Sequence, residues 1–152
     1  MATILVIDEN SVERRIVRMT LEGEGHRVAE AATPGDALEL IRTFPFDIVL
    51  MAVTSGRGDA FDLIAKTRAM GERDATRFVA ILEEDDEKSP VESFMNGASD
   101  LLVRPFGAHD IRDVVARATS PQEIDLRDRL VGIQLDAYET AIRLQEQART
   151  ER

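Results

Sequence analysis

Two adjacent carboxylates, Asp8 and Glu9, stand directly after the apolar run Ile4-Leu5-Val6-Ile7. Far along the chain, Arg104-Pro105 follows a second apolar run, Leu101-Leu102-Val103. Neighbouring acids of this kind supply the oxygen ligands that a hard divalent cation takes. A guanidinium is charged at every working pH and forks onto two oxygens of a carboxylate. A third run, Asp47-Ile48-Val49-Leu50-Met51-Ala52-Val53, carries Ala52 where a further acid would complete a cation site. Other chemistries are closed off by composition. The absence of cysteine removes disulfides, thiolate nucleophiles and cysteine-based zinc sites. His26 and His109 are far apart in sequence, and neither has a second histidine near it to share a metal.

These residues meet only if the chain brings strand ends together, and its pattern does so. Ile4-Leu5-Val6-Ile7 is short, apolar and β-branched, as a strand buried on both faces reads. Asn10 is the expected cap of a following helix, with Glu13 completing a capping box. That helix carries Val12, Ile16, Val17, Met19 and Leu21 and is expected to stop near Gly23 and Gly25. A strand over Arg27–Ala31 follows, then a helix capped by Thr33 with Pro34 in its first position and Asp36 at its third. Ala37, Leu38, Leu40 and Ile41 form its apolar face, and it must end before Pro45. The strand ending at Val53 leads through the loop 54–58 to a helix opened by Asp59, with Phe61, Leu63, Ile64 and Ala65 expected to face inward. Residues 78–82 form the fourth strand. The acidic residues 84–87 read as a solvated loop. Ser89-Pro90-Val91-Glu92 reads as a cap opening a short helix that ends at Asn96-Gly97. The fifth strand is Leu101-Leu102-Val103, and the fifth helix covers about residues 108–118. Five strand–helix units predict a parallel sheet covered on both faces, with its functional site at the carboxyl ends of the strands.

Leu5-Val6-Ile7-Asp8-Glu9, Asp47-Ile48-Val49-Leu50, Asn96-Gly97-Ala98-Ser99-Asp100 and Val103-Arg104-Pro105-Phe106 together resemble the signature blocks of the response-regulator receiver family over about residues 3–119. The resemblance implies an α/β, flavodoxin-like (βα)5 doubly wound parallel sheet with strand order 2-1-3-4-5. It also implies an acid pair that binds Mg²⁺, an aspartate ending the third strand that takes a phosphoryl group from a histidine kinase, and a threonine or serine ending the fourth. An aromatic residue in the fifth strand and a lysine before a cis proline complete the pattern. Carried over residue by residue, Asp8 and Pro105 match. Glu9 replaces the second aspartate, Ala52 stands at the acceptor position, and Glu83 or Leu82 takes the hydroxyl position. Leu101 replaces the aromatic and Arg104 the lysine.

A methyl group cannot attack a phosphoryl donor. The chain is therefore expected to be a pseudo-receiver: a non-enzymatic, phosphorylation-independent signalling module with a degenerate pocket and no cofactor. A weak cation site at Asp8 and Glu9 would be the most that survives, since Mg²⁺ demands near-octahedral geometry. Arg104 is expected to pair with Asp8, Glu9 or both. The alternative is phosphotransfer to an unconventional acceptor such as Thr54, Ser55 or Asp59 beside a residual cation site.

Residues 120–152 follow the receiver-like stretch 1–119 as an extension rather than a second domain. Ser120-Pro121-Gln122-Glu123 is a helix start, and Glu123/Arg127, Asp125/Arg129 and Glu139/Arg143 are favourable i,i+4 pairs. A helix of about 28 residues would span about 40 Å. Gly132 weakens it slightly near its middle. Val131, Leu135, Tyr138 and Ile142 form one seam, and Leu126, Leu130, Ile133, Ala137, Ala141 and Leu144 a neighbouring stripe. Together they make a wide apolar face that must pack on something. A homodimer through this helix is favoured over packing on the receiver. The face of the fourth helix, fifth strand and fifth helix is a second candidate surface. Other signalling proteins, such as a histidine kinase or an effector, are the expected partners. The net charge of −10 argues against nucleic acid. No apolar run is long enough to cross a membrane, and the N-terminus lacks a secretion signal, so a cytoplasmic location is expected.

Overall fold

The computed structural model describes residues 1–54, 56–73 and 75–119. Its elements alternate throughout: β1 (Thr3–Ile7), α1 (Ser11–Gly23), β2 (Arg27–Ala31), α2 (Pro34–Thr43), β3 (Ile48–Ala52), α3 (Asp59–Arg68), β4 (Arg77–Leu82), α4 (Ser89–Met95), β5 (Asp100–Val103) and α5 (Ala108–Thr119). The five strands form one parallel sheet in the order β2-β1-β3-β4-β5. This is the doubly wound fold expected from the pattern. The extension 120–152, with its expected helix, lies outside the described residues.

Alternation along each strand divides the core. Leu5, Ile7, Val49, Met51, Phe78, Ala80, Leu82 and Leu101 face α2 and α3, with Phe94 of α4 packed at the margin. Ile4, Val6, Ile48, Leu50, Val79, Ile81 and Leu102 face α1 and α5. Because side chains alternate across a strand, runs that are apolar at every position must be buried on both sides.

Local signals set most boundaries. The Asn10 side chain accepts from the backbone N–H groups of Val12 and Glu13, both at 3.1 Å. Thr33 Oγ1 accepts from Asp36 N at 3.2 Å. Gly97 turns the chain from α4 into β5 with φ +106°, and a Cβ there would lie 3.2 Å from Ile64 Cγ2. Glycine alone meets both demands without strain.

Some expectations fail, each for a physical reason. Glu13 does not close the capping box, because the Asn10 N–H donates to Asp8 Oδ1 instead. Ser89 does not cap α4, being its first helical residue. Its N–H donates to Asp86 Oδ1 at 3.0 Å, and its hydroxyl to the other oxygen of that carboxylate. Asp86 is accordingly the residue of 84–87 that is drawn partly inside. In α3, the buried positions Ala60, Leu63, Ile64 and Thr67 follow the i, i+3, i+4, i+7 stripe. Ala65 falls off that stripe into solvent and Phe61 is half-buried. For α1 no inward face is specified by the sequence; among its apolar residues Val17 and Leu21 are buried, and Val12, Ile16 and Met19 are exposed.

Candidate functional site

At the carboxyl ends of β1, β3 and β4, an open cleft of about 910 Å³ is lined by Asp8, Glu9, Glu13, Ala52, Arg57, Glu83 and Arg104 among others. The sheet fixes this convergence. Ile7 pairs in register with Met51, Ala52 with Ile81, and Leu82 with Val103, so the residues just beyond come out side by side.

Arg104 holds the centre. It follows β5, immediately before the cis Arg104–Pro105 bond. Its Nε donates to Glu13 Oε1 at 2.8 Å and Oε2 at 3.1 Å. Its Nη1 donates to Glu83 Oε1 at 2.9 Å, and its Nη2 to Asp8 Oδ2 at 3.2 Å. The three partners differ in solvation: the Asp8 side chain is 7% exposed, Glu13 23% and Glu83 60%. The contacts to Asp8 and Glu13 therefore carry most of the energy, because an exposed ion pair contributes little. Burial of the guanidinium works against its charge. The Glu13 hydrogen bond and the charges of Glu13, Asp8 and Glu83 outweigh that, holding its pKa above the ordinary value. Arg104 is a permanent cation at this site.

Asp8 is fixed on its other side as well. Its Oδ1 accepts the Asn10 N–H at 3.0 Å, and its backbone carbonyl accepts from Arg14 Nη1 at 2.7 Å. Glu9 turns away. Its carboxylate accepts from Arg57 Nη1 at 3.1 Å, with both side chains more than half exposed. Of the partners expected for Arg104, the structure shows Asp8 and not Glu9. Spacing alone does not separate these two acids. The strand places Asp8 inward and leaves Glu9 on the rim.

Ala52 ends β3 at the floor of the cleft and packs against the core on the α1/α5 side. Leu82 is buried as the last residue of β4. Glu83 is the first residue beyond it and faces Arg104, so Glu83 is the cleft-lining residue at that strand end. Leu101 lies in the core beneath, and Pro105 is exposed; neither lines the cleft. Thr54 and Asp59 line it, while Ser55 lies outside the described residues. The interaction-helix residues Leu126, Leu130, Val131, Ile133, Leu135, Tyr138, Ile142 and Leu144 also fall outside them. Two participants escaped the sequence reading. Glu13 looked like a capping acid, and Arg57 sat in a loop with nothing in its neighbourhood to mark a partner 48 positions away.

The donor set does not fit Mg²⁺. The inward carboxylate is already engaged by Arg104, the second acid bonds to Arg57, and the side chain of Ala52 brings no oxygen. Among the described residues, no group of three or more histidine, cysteine or carboxylate side chains is placed to hold a metal ion. The remaining lining is rich in acids, including Asp85, Asp86 and Glu87, so an approaching phosphate meets a repulsive field.

A parallel five-stranded sheet in this order, with charged residues gathered at its strand ends, defines a receiver-type α/β domain. The model of the response regulator receiver domain matches residues 4–116, and the chain belongs to that family. It is similar to the transcriptional regulatory protein SrrA of Staphylococcus aureus, with 28% identity over 108 residues. That alignment takes in 71% of this chain and 44% of SrrA, so the chain spans under half the length of this curated relative. Among solved structures it resembles the chemotaxis response regulator CheY4 of Vibrio cholerae, with TM-score 0.71 and 24% identity, covering 78% of this chain and 98% of that one. It also resembles the receiver domain of NtrX from Brucella abortus, with TM-score 0.68 and 27% identity, covering 77% and 99%.

Proposed function

We propose that this chain is a pseudo-receiver: a phosphorylation-independent, non-enzymatic protein-interaction module of a two-component-type network. One observation carries the reading. Where the phosphoacceptor would stand, Ala52 offers a methyl group, and beside it Arg104 occupies the cleft as an internal cation bonded to Asp8, Glu13 and Glu83. Arg104 takes over the charge balance that a metal ion would otherwise supply, using one fixed arrangement in place of an exchangeable one. The replacement of the second aspartate by Glu9, which bonds to Arg57, supports the same conclusion. So does Glu83, which puts a carboxylate where a hydroxyl would be needed.

In this reading residues 1–119 are the receiver-like unit and 120–152 an attached interaction segment. The chain works in the cytoplasm without a cofactor and forms a homodimer through the apolar residues of that segment: Leu126, Leu130, Val131, Ile133, Leu135, Tyr138, Ile142 and Leu144. A histidine kinase or an effector protein is its further partner. The exposed side of α4 and α5 is the weaker candidate for the dimer: of the large apolar residues exposed among the described ones, Met95 alone lies on either helix. Among the described residues no helix is long and apolar enough to cross a membrane.

The test is incubation of the full chain with acetyl phosphate and Mg²⁺, followed by intact-mass measurement. The expected result is an unchanged mass. Phosphoryl addition mapped to Thr54, Asp59 or any other residue would overturn the proposal in favour of an unconventional acceptor.

A further inference from the structure

α1 presents an apolar stripe to solvent. Val12 is 68% exposed, Ile16 55% and Met19 66%, at spacings of four and three residues on one helical face. That face lies opposite Val17 and Leu21, which meet the core. A lone exposed apolar residue needs no explanation, but three in line along a helix form a ridge that docking would cover. Gly23 continues the line at the next spacing of four, and a Cβ built there meets nothing within 4 Å. The ridge therefore ends in open space where another chain can come close.

Charge says what fits it. Among the charged side chains of α1, Glu13 is bonded to Arg104, Arg14 and Arg18 to Glu30, and Glu22 to Arg18. Arg15 is exposed and stands in no ion pair among the described residues. Glu22 is half-exposed, and Arg18 bonds to its Oε1, which leaves Oε2 facing water. At 100° per residue, Arg15 and Glu22 fall on the same flank of the ridge, two turns apart. The helix thus carries an apolar seam with a cation beside one part and an anion beside the next. Turned end for end, that pattern is complementary to itself. In a two-fold antiparallel pair like flanks face each other, and each contact is made twice.

Two registers bury the ridge, and charge separates them. With the axis between Arg15 and Ile16, the two copies of Arg15 meet and repel. With the axis one turn later, between Arg18 and Met19, Arg15 comes level with Glu22 of the second copy in both directions. Met19 then packs on Met19 across the axis, and Ile16 enters the gap left by Gly23. On the other flank Glu13 comes level with Glu24, but Arg104 and Arg112 already balance those acids.

We infer that α1 is a contact surface for a second copy of this chain, packed antiparallel in the register that pairs Arg15 with Glu22. This goes beyond the dimer proposed above, since no residue of 120–152 enters the contact. Three apolar side chains per copy bury less than the roughly 800 Å² per partner of a lasting interface, so the contact is a weak one.

The chain has no cysteine, so single engineered cysteines report cleanly. Cα atoms that face each other across a helix pair come within the roughly 4.4–6.8 Å that a disulfide spans. The two Met19 positions do so in this register, whereas the two Val12 positions lie about 20 Å apart along the axis. Full-length protein at about 100 µM populates a weak contact. There, Met19→Cys is expected to form its inter-chain disulfide about tenfold faster than Val12→Cys or Glu39→Cys, the last being 73% exposed on α2 across the sheet. Arg15→Glu added to Met19→Cys should slow the reaction about fivefold, and Glu22→Arg added to both should restore it. Equal rates at positions 12, 19 and 39 would overturn the inference. So would Ile16→Cys outpacing Met19→Cys, which would place the axis against the charges, or a slowed rate that Glu22→Arg fails to restore.

Discussion

Arg104 and Glu13, 91 positions apart, are joined by two hydrogen bonds from one guanidinium nitrogen, at 2.8 and 3.1 Å. The contact ties the end of β5 to the first turn of α1 and closes the cleft with a charge that belongs to the protein. Both side chains are largely shielded from water. Such a pair stabilises little relative to an apolar replacement, yet breaking it leaves acids stranded.

Arg104→Ala should therefore lower stability by about 2–3 kcal/mol at neutral pH, below the full cost of a deeply buried pair because Glu13 keeps partial solvation. Urea unfolding measures this. A double-mutant cycle separates the partners: Arg104 with Glu13→Gln should couple by about 1 kcal/mol or more, and with the exposed Glu83→Gln by less than about 0.5 kcal/mol. Equal coupling to both would refute the ranking by burial.

Removing the internal cation should also change the response to metal. Arg104→Ala leaves Asp8, Glu13 and Glu83 without their shared counter-charge. Millimolar Mg²⁺ is expected to raise the thermal midpoint of this variant and to leave that of the native chain unchanged. A rise of the same size in both proteins would mean that the native cleft already accepts the ion.

A second charge cluster sets an acid limit. In β2, Glu30 accepts from Arg14 Nε at 2.9 Å and Arg18 Nη1 at 3.0 Å. Burial alone would raise its pKa. The hydrogen bonds and charges of Arg18 and Arg14 outweigh that and hold it below the ordinary 4.5. The unfolded chain therefore takes up this proton more readily. The stabilisation is fully present above the unfolded value and is lost as pH falls through the folded one. Glu30→Gln should cost about 1 kcal/mol at neutral pH, and the difference from the native chain should shrink below pH 4.5. A difference that stays constant down to the acid transition would show that Glu30 is not the group responsible.

Gly97→Ala should destabilise by about 1–3 kcal/mol, since alanine at a positive φ is strained and its Cβ meets Ile64. Ile64→Ala in the same chain removes the contacting Cγ2, which valine would keep, but not the backbone strain, so Gly97→Ala is expected to cost less in an Ile64→Ala background than in the native chain without becoming free. Full rescue would assign the whole cost to crowding.

The fold was legible because its strands are apolar at successive positions, a pattern that only burial on both faces of a sheet explains. Ile48-Val49-Leu50-Met51 is the clearest case, fully buried throughout. Helix faces were less legible. Val12, Ile16 and Met19 look like core residues by type, but the arc of α1 that meets the sheet admits Val17 and Leu21 and leaves them outside. In the cleft, the strand ends pointed to Asp8, Ala52 and Arg104. The partner of Arg104 did not stand out, because Glu13 has an adequate local explanation as a helix-start acid. A carboxylate at the third helical position serves a cap or a distant cation equally well, and only the sheet order shows which is near. Asp86 was hidden for a similar reason: its role is to cap a helix that carries its own apparent cap, Ser89.

The central claim is that the cleft is held in one state by its own arginine and does not respond to a phosphodonor. Backbone amide spectra of the isotopically labelled full chain, recorded before and after adding acetyl phosphate with Mg²⁺, test this most directly. The account predicts unchanged resonances for residues 8–13, 52–54, 83 and 104, and across α4 and α5. New resonances at the cleft that spread into α5 would contradict it, for they would show a working switch.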